Sequence, residues 1–260
     1  MTTHADTTSS PSPSHELPRS ARMACWLHAL VGGRTSLDDA LAAISADDAA
    51  HDVVGLSGSG EGVSEPLALA LGRLRGRAPQ WLHVAAPTPG DLTGLAGPPE
   101  LNTAALEAGE CVLLGGQPQH PTTALVPHVA GAGVVWQAAP AADPPPHDLP
   151  EASRVLRRAL SVTADTLTEL DLARWSPDAA DALLNLRAPL DLDLPPGTSA
   201  DAAAVLATAM RCQAIVDVAG RSQSAAVTAA EADRRAAALQ PLARAARHAV
   251  SAACSTPRHR

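Results

Sequence analysis

Residues 110–139, "ECVLLGGQPQHPTTALVPHVAGAGVVWQAA", contain three apolar runs of strand length: ECVLLGG (110–116), TTALVPHV (122–129) and GVVWQAA (133–139). Residues 117–121 and 130–132 are all that separate them, whereas parallel neighbours need a crossover of about a dozen residues or more. The three therefore read as an antiparallel section. RMACWLHALV (22–31), HDVVGL (51–56) and QWLHVAA (80–86) are also short apolar runs bounded by turn residues and read as further strands. Between the first two of these, SLDDALAAIS (36–45) carries Ser36 and Asp39 at the spacing of a capping box, which predicts a short helix. A second helix is predicted from about Ser64, with Pro66 in its first turn, where a missing N–H costs nothing. The N-terminal half is thus an α+β unit: a mixed or antiparallel sheet with two or more short helices, not a doubly wound one.

The pattern changes at AADPPPHDLP (141–150), where three consecutive prolines exclude regular helix or sheet. Leu156, Leu160, Leu167 and Leu170 then form a stripe on a helix from about Pro150 to Ala173. Ser176-Pro177 opens the next helix as cap and first residue. Val205, Ala209, Cys212 and Val216, beside Leu206 and Met210, mark another. Thr228 and Glu231 supply a capping box before a last segment in which Pro241 imposes a bend or a division into two short helices. The whole reads as a C-terminal helical bundle of four to five helices. The expected organisation is a disordered tail (1–20), an α+β domain (21–140), a Pro-rich linker (141–150), the bundle (151–254) and a short tail (255–260).

Composition excludes several chemistries. The chain has 260 residues, four Trp, no Phe or Tyr, and no Lys, so every one of its 19 Lys+Arg positions is Arg. Without Lys there is no Schiff base, no pyridoxal attachment and no P-loop lysine; without Tyr there is no phenolic acid or base. The formal charge of −8 argues against a general polyanion partner such as nucleic acid. Cys25, Cys111, Cys212 and Cys254 form no CxxC pair and read as small buried hydrophobes. Arg19 and Arg22 precede MACWLHALV as in a signal peptide, but the run is short, carries His28 and lacks a cleavage site, so it reads as a strand. No run approaches the ~20 apolar residues of a membrane span, and the expected location is the cytoplasm. The Ala- and Arg-rich, Lys-free usage looks like a GC-rich, actinobacterial genome.

LPPGTSADAAAVLATAMRCQAIVDVA (194–219), AVTAAEADRRAAALQPLARAARHAV (226–250) and WLHVAAPTPGDLTGLAGPPELNTAALEAGECVLLG (81–115) carry a resemblance. They are similar to a family of uncharacterised actinobacterial proteins. The resemblance implies the same two-part organisation and brings no activity, cofactor or site residue with it.

VVGLSGSGEGVSEP (53–66) has the strand–glycine loop–helix order of a phosphate site, with Gly58, Gly60 and Gly62 as candidate cofactor-binding residues. The dinucleotide fingerprint fails, because Val63 stands three positions after Gly60 and no acid ends the next strand. Glu61 and Glu65 would oppose a phosphate. Gly55-x-Ser57 fails as a nucleophile elbow because Ser59 replaces the second glycine. The loop APTPGDLTGLAGPP (86–99) reads as a rigid connector, its prolines removing donors an anion nest would use. His83, Cys111, His120 and His128 could ligate a metal only if the sheet brought them together, since none has ligand spacing. Asp191 and Asp193 would share one face of an extended connector. His28, His83 or His128 would each need a nucleophile and an acid supplied by the fold. Asp217 could pair with Arg211 or Arg221, and Trp175 packs a helix corner or anchors a partner.

Two readings follow. One is a non-catalytic cytoplasmic protein-interaction or regulatory protein, without cofactor, nucleic acid or membrane, that binds a protein partner or itself. The alternative is an enzyme or small-molecule or nucleotide binder with its site at the junction of the halves, near the Gly-rich loop 55–62.

Overall fold

A computed structural model of the chain describes residues 16–56, 63–169, 190–221 and 229–256. Six strands form one sheet: β1 (His51–Val54), β2 (Ser64–Pro66), β3 (Trp81–Ala85), β4 (Cys111–Gly115), β5 (Thr123–Ala130) and β6 (Gly133–Pro140). Their order is β2-β1-β6-β5-β4-β3. The run β3 to β6 is antiparallel throughout, with Val112 opposite Leu125 and Pro127 opposite Trp136. β1 joins β6 in parallel and β2 in antiparallel fashion. The sheet is therefore mixed, and its antiparallel part is the one that short connections dictate.

Four helices belong to this half: α1 (Arg19–Val31), α2 (Leu37–Ser45), α3 (Leu67–Arg77) and α4 (Pro99–Ala108). The Ser36 hydroxyl caps α2 by accepting from the Asp39 N–H at 3.0 Å. Residues 22–31, read from sequence as a strand, are helical instead. An uninterrupted apolar run looks the same in a buried strand and a helix buried on most sides. Here Met23, Ala24, Trp26, Leu27, Ala29 and Leu30 are all buried, so no polar face betrays the helical period. α3 starts at Leu67, later than the spacing predicts, because Ser64–Pro66 pairs with β1 as an edge strand. α4 has no counterpart in the sequence reading.

Alternate residues of the strands feed two cores. Leu82, Val84, Val112, Leu114, Leu125 and Trp136 point into the larger one, which also holds Met23, Leu27, Leu71 and Leu74 from the helices. Trp81, Ala85, Cys111, Leu113, Ala124 and Val126 point to the other face, covered by Leu101 and Ala105 of α4. Both faces of β3 and β4 are thus covered, which is why they read as unbroken apolar runs.

The C-terminal part contributes α5 (Leu149–Glu169), α6 (Ala200–Arg221) and α7 (Ala229–Cys254) among the described residues. Ser176-Pro177, Trp175, Leu170 and Thr228 lie outside them. α7 runs through Pro241 as one helix rather than two. Leu156, Leu206, Met210, Leu242 and Val250 enter the same large core as Met23 and Leu27, so the two sequence halves share it. Leu160, the second member of the predicted α5 stripe, is exposed. Ala200–Gly220 is also long and apolar enough to cross a membrane, with a mean hydropathy of 1.4, contrary to the sequence reading. Leu206, Ala209 and Cys212 of it are buried in the core, and 39% of its apolar window is buried in all.

β3 lies at the end of the sheet, and its free edge is closed by other chain segments. The Leu82 N–H donates to the Thr256 hydroxyl at 2.7 Å and the Val84 N–H to the Ser255 hydroxyl at 2.9 Å. The Thr256 N–H donates back to the Leu82 carbonyl at 2.9 Å. On the opposite side of the fold, Asp48 ties α1 to β1: Arg19 grips both carboxylate oxygens at 2.7 and 2.9 Å, and His51 Nε2 lies 3.0 Å away. The indole N–H of buried Trp136 donates to His51 Nδ1 at 3.1 Å, which leaves the His51 proton on Nε2, facing Asp48.

Candidate functional site

The loop 86–99 folds back on itself where Thr88 and Asp91 exchange backbone hydrogen bonds of 2.9 and 2.8 Å. The turn directs the Asp91 side chain inward onto α7, where it is only 6% exposed. Its carboxylate accepts from the Thr93 hydroxyl at 2.8 Å and, on its other oxygen, from His248 Nε2 at 2.9 Å and Arg247 at 3.3 Å. Arg244 Nε stands 3.5 Å away. Burial alone would raise the Asp91 pKa; the Thr93 hydroxyl, the positive charge of His248 and the Thr93 N–H outweigh it and hold the group down at about 2. The loop read from its prolines as a rigid connector is tied to α7 through one carboxylate.

Beside this hub, His83 of β3 stacks on His147 with ring centroids 4.0 Å apart and planes within 8°. His147 Nε2 bonds the Val84 carbonyl at 3.0 Å. Burial pushes the His147 pKa down, the Val84 carbonyl pulls it up, and nearby His248 pushes it down further. Gly94, at φ +88°, closes the loop over this pair: a Cβ there would stand 3.0 Å from His83 Nε2.

From His248 a groove of about 420 Å³ runs between α5 and α7. Val155, Ala159 and Val162 form one wall, at the i, i+4, i+7 spacing of a single helix face, and Pro241 and Ala245 form the other. Arg158, Gln240, Arg244 and His248 stand at its rim. Val155 is 43% and Val162 51% exposed. His248 and Asp91 have the geometry of a base and its orienting acid. Among the described residues the groove lining holds no hydroxyl, thiol or carboxylate for such a base to activate, and Asp91 is already engaged by two arginines.

The predicted site residues are dispersed. Gly58, Gly60 and Gly62 lie outside the described residues. His83 and Cys111 are buried on the same sheet face, the thiol pushed up to about 12 by burial. His120 is in an exposed turn and His128 is at the far end of β5. Among the described residues no three His, Cys, Asp or Glu side chains are placed to hold a metal ion. His28 is on α1, remote in sequence and element from His83 and His128. Asp191 and Asp193 do share a face: both are exposed, alternating with Leu190, Leu192 and Leu194, which pack against the core. No ion pair joins Asp217 to Arg211 among the described residues; the Arg221 side chain is not among those described. All four cysteines are free, and Cys111, Cys212 and Cys254 are buried.

The groove itself left one signal that sequence reasoning passed over. Val155, Ala159 and Val162 lie beside the leucine stripe of α5, making its apolar face wider than one contact needs.

No curated protein and no solved structure matches the chain. Two family models do. The N-terminal domain of Rv1486c-like proteins matches residues 20–151, and their C-terminal domain matches residues 150–251. The stretches 81–115, 194–219 and 226–250 that carry the sequence resemblance fall inside these matches, which meet where α5 begins. From the first turn of α1 to the last of α7, the chain belongs to the Rv1486c-like family.

Proposed function

We propose that this protein is a non-catalytic, cytoplasmic, actinobacterial binding protein that receives a protein partner in the groove between α5 and α7. The observation that carries the reading is the exposure of Val155 and Val162, one helical face of α5, in the wall of that groove. Contiguous apolar surface of this kind, rimmed by polar groups, marks interaction sites. A groove between two helices is also the usual seat of a partner's helix. The absence of a nucleophile from the lining among the described residues supports binding rather than turnover. The cytoplasmic assignment is supported by the core contacts that Leu206, Ala209 and Cys212 make from the span-length helix found among the described residues, and the actinobacterial one by the Lys-free, Arg- and Ala-rich composition.

The test is site-specific photo-crosslinking in cells expressing the full chain, with a benzophenone amino acid in place of Val162 and, as a control, in place of exposed Leu69 on α3. The expected result is a discrete adduct from position 162 that position 69 does not give. Identical adducts from both positions, or adducts only with the chain's own residues, would overturn the reading.

A further inference from the structure

The rim of the groove has the opposite sign to the protein. The chain carries 27 acidic residues against 19 arginines, yet among the described residues no carboxylate lines the groove, whereas Arg158, Arg244 and His248 all do. From this, and resting on the docking reading above, we infer that the partner segment is an amphipathic helix with acidic side chains flanking its apolar stripe.

The two walls contribute charge separately, Arg158 from α5 and Arg244 and His248 from α7. A helix lying between them meets a cation on each side. Arg158 is exposed and makes no ion pair among the described residues. Half of the Arg244 side chain is exposed beyond its contact with Asp91. Asp91, in the neighbouring loop, is held by His248 and Arg247, and Glu151 by Arg154; Asp165, one turn beyond Val162, is exposed and outside the groove lining. Val155 and Val162 are two helical turns apart, about 10.5 Å along the axis. That matches a partner presenting apolar anchors at i, i+4 and i+7. The apolar floor favours a helix over nucleic acid, whose backbone would find no buried donors there.

The experiment is a display selection against the purified full chain. The library holds helical peptides of about 16 residues on a fixed leucine frame (i, i+4, i+7, i+11), other positions varying among Glu, Lys, Gln and Ala. The expected binders carry Glu beside the frame and lose affinity in Val162→Asp. They weaken about tenfold in Arg158→Glu, and regain binding to that variant when their flanking Glu is exchanged for Lys. Arg158→Glu breaks no hydrogen bond or ion pair among the described residues; adding Arg244→Glu deepens the effect where the double variant keeps its helical circular dichroism. Binders that lose affinity in Val162→Asp but carry neutral or basic flanks overturn the acidic helix and leave the groove reading standing. No binder sensitive to Val162→Asp, or a crosslink from position 162 of the purified chain to its own residues 170–189, overturns both.

Discussion

Replacing Asp91 by Asn tests the junction between the loop and α7. The substitution keeps the shape of the side chain and its ability to accept from Thr93, and removes the charge facing Arg244, Arg247 and His248. The folded-state pKa of about 2 lies below the ordinary value of 3.8. At about 1.36 kcal/mol per tenfold change in proton affinity, that gap corresponds to about 2 kcal/mol. Because the pKa is depressed, this stability is present above about pH 4 and disappears as the pH falls through the folded pKa; about half remains at pH 3. Asp91→Asn should therefore lower the stability of the wild type by about 2 kcal/mol at pH 7, or about 4–8 °C in Tm for a chain of this size. Urea titrations followed by circular dichroism at pH 7, 5, 4 and 3 should show the two proteins converging only below pH 4. A difference under about 0.5 kcal/mol at pH 7 would refute the assignment of Asp91 as the anchor. So would an equal difference at pH 7 and pH 3.

Gly94→Ala places a methyl group against His83 Nε2 in a left-handed backbone and should cost about 1–3 kcal/mol, more than Gly90→Ala, where the backbone is also left-handed but the space is open; thermal melts compare the two. Trp136→Phe leaves His51 Nδ1 without a donor and should cost about 1–3 kcal/mol by chemical denaturation at pH 8. His51 is held below its ordinary pKa, first by burial, so its contribution is full above about pH 6.5 and declines as the pH falls below that value; an His51 ring shift titrating only in the unfolded protein would confirm the direction. Thr256→Val removes the acceptor of the Leu82 N–H on an edge strand, and should both destabilise by about 1 kcal/mol and increase light scattering on concentration.

How far the sequence reaches depends on whether neighbours in the chain are neighbours in space. β4, β5 and β6 are legible because nothing but turns separates them, and α2 because Ser36 and Asp39 meet within one helical turn. α1 is misread because burial on most of its surface erases the periodicity that distinguishes helix from strand. The mixed character of the sheet depends on Val53 meeting Trp136, a pairing no local pattern encodes. The same holds for the junction. Asp91 sits in a loop whose prolines suggested stiffness, but its partners lie 156 and 157 positions away. His83 was visible as a strand histidine, and only the fold supplies the His147 ring stacked on it.

The closure of β3 has a consequence for the order of synthesis. Its edge partner, Thr256, lies 174 positions downstream of Leu82. At about 5–20 residues per second, the ribosome takes roughly 10–35 s to deliver that partner after Leu82 has been made. During this interval Leu82 and Val84 belong to an apolar strand whose outward amides have no acceptor from the chain itself, the condition in which nascent sheets add foreign strands. The antiparallel strands β3 to β6 can form early, but this edge is completed only once residues 255 and 256 have been made and have docked. Mutations that slow that docking step should therefore reduce yield in the cell more than they reduce the stability of the finished protein.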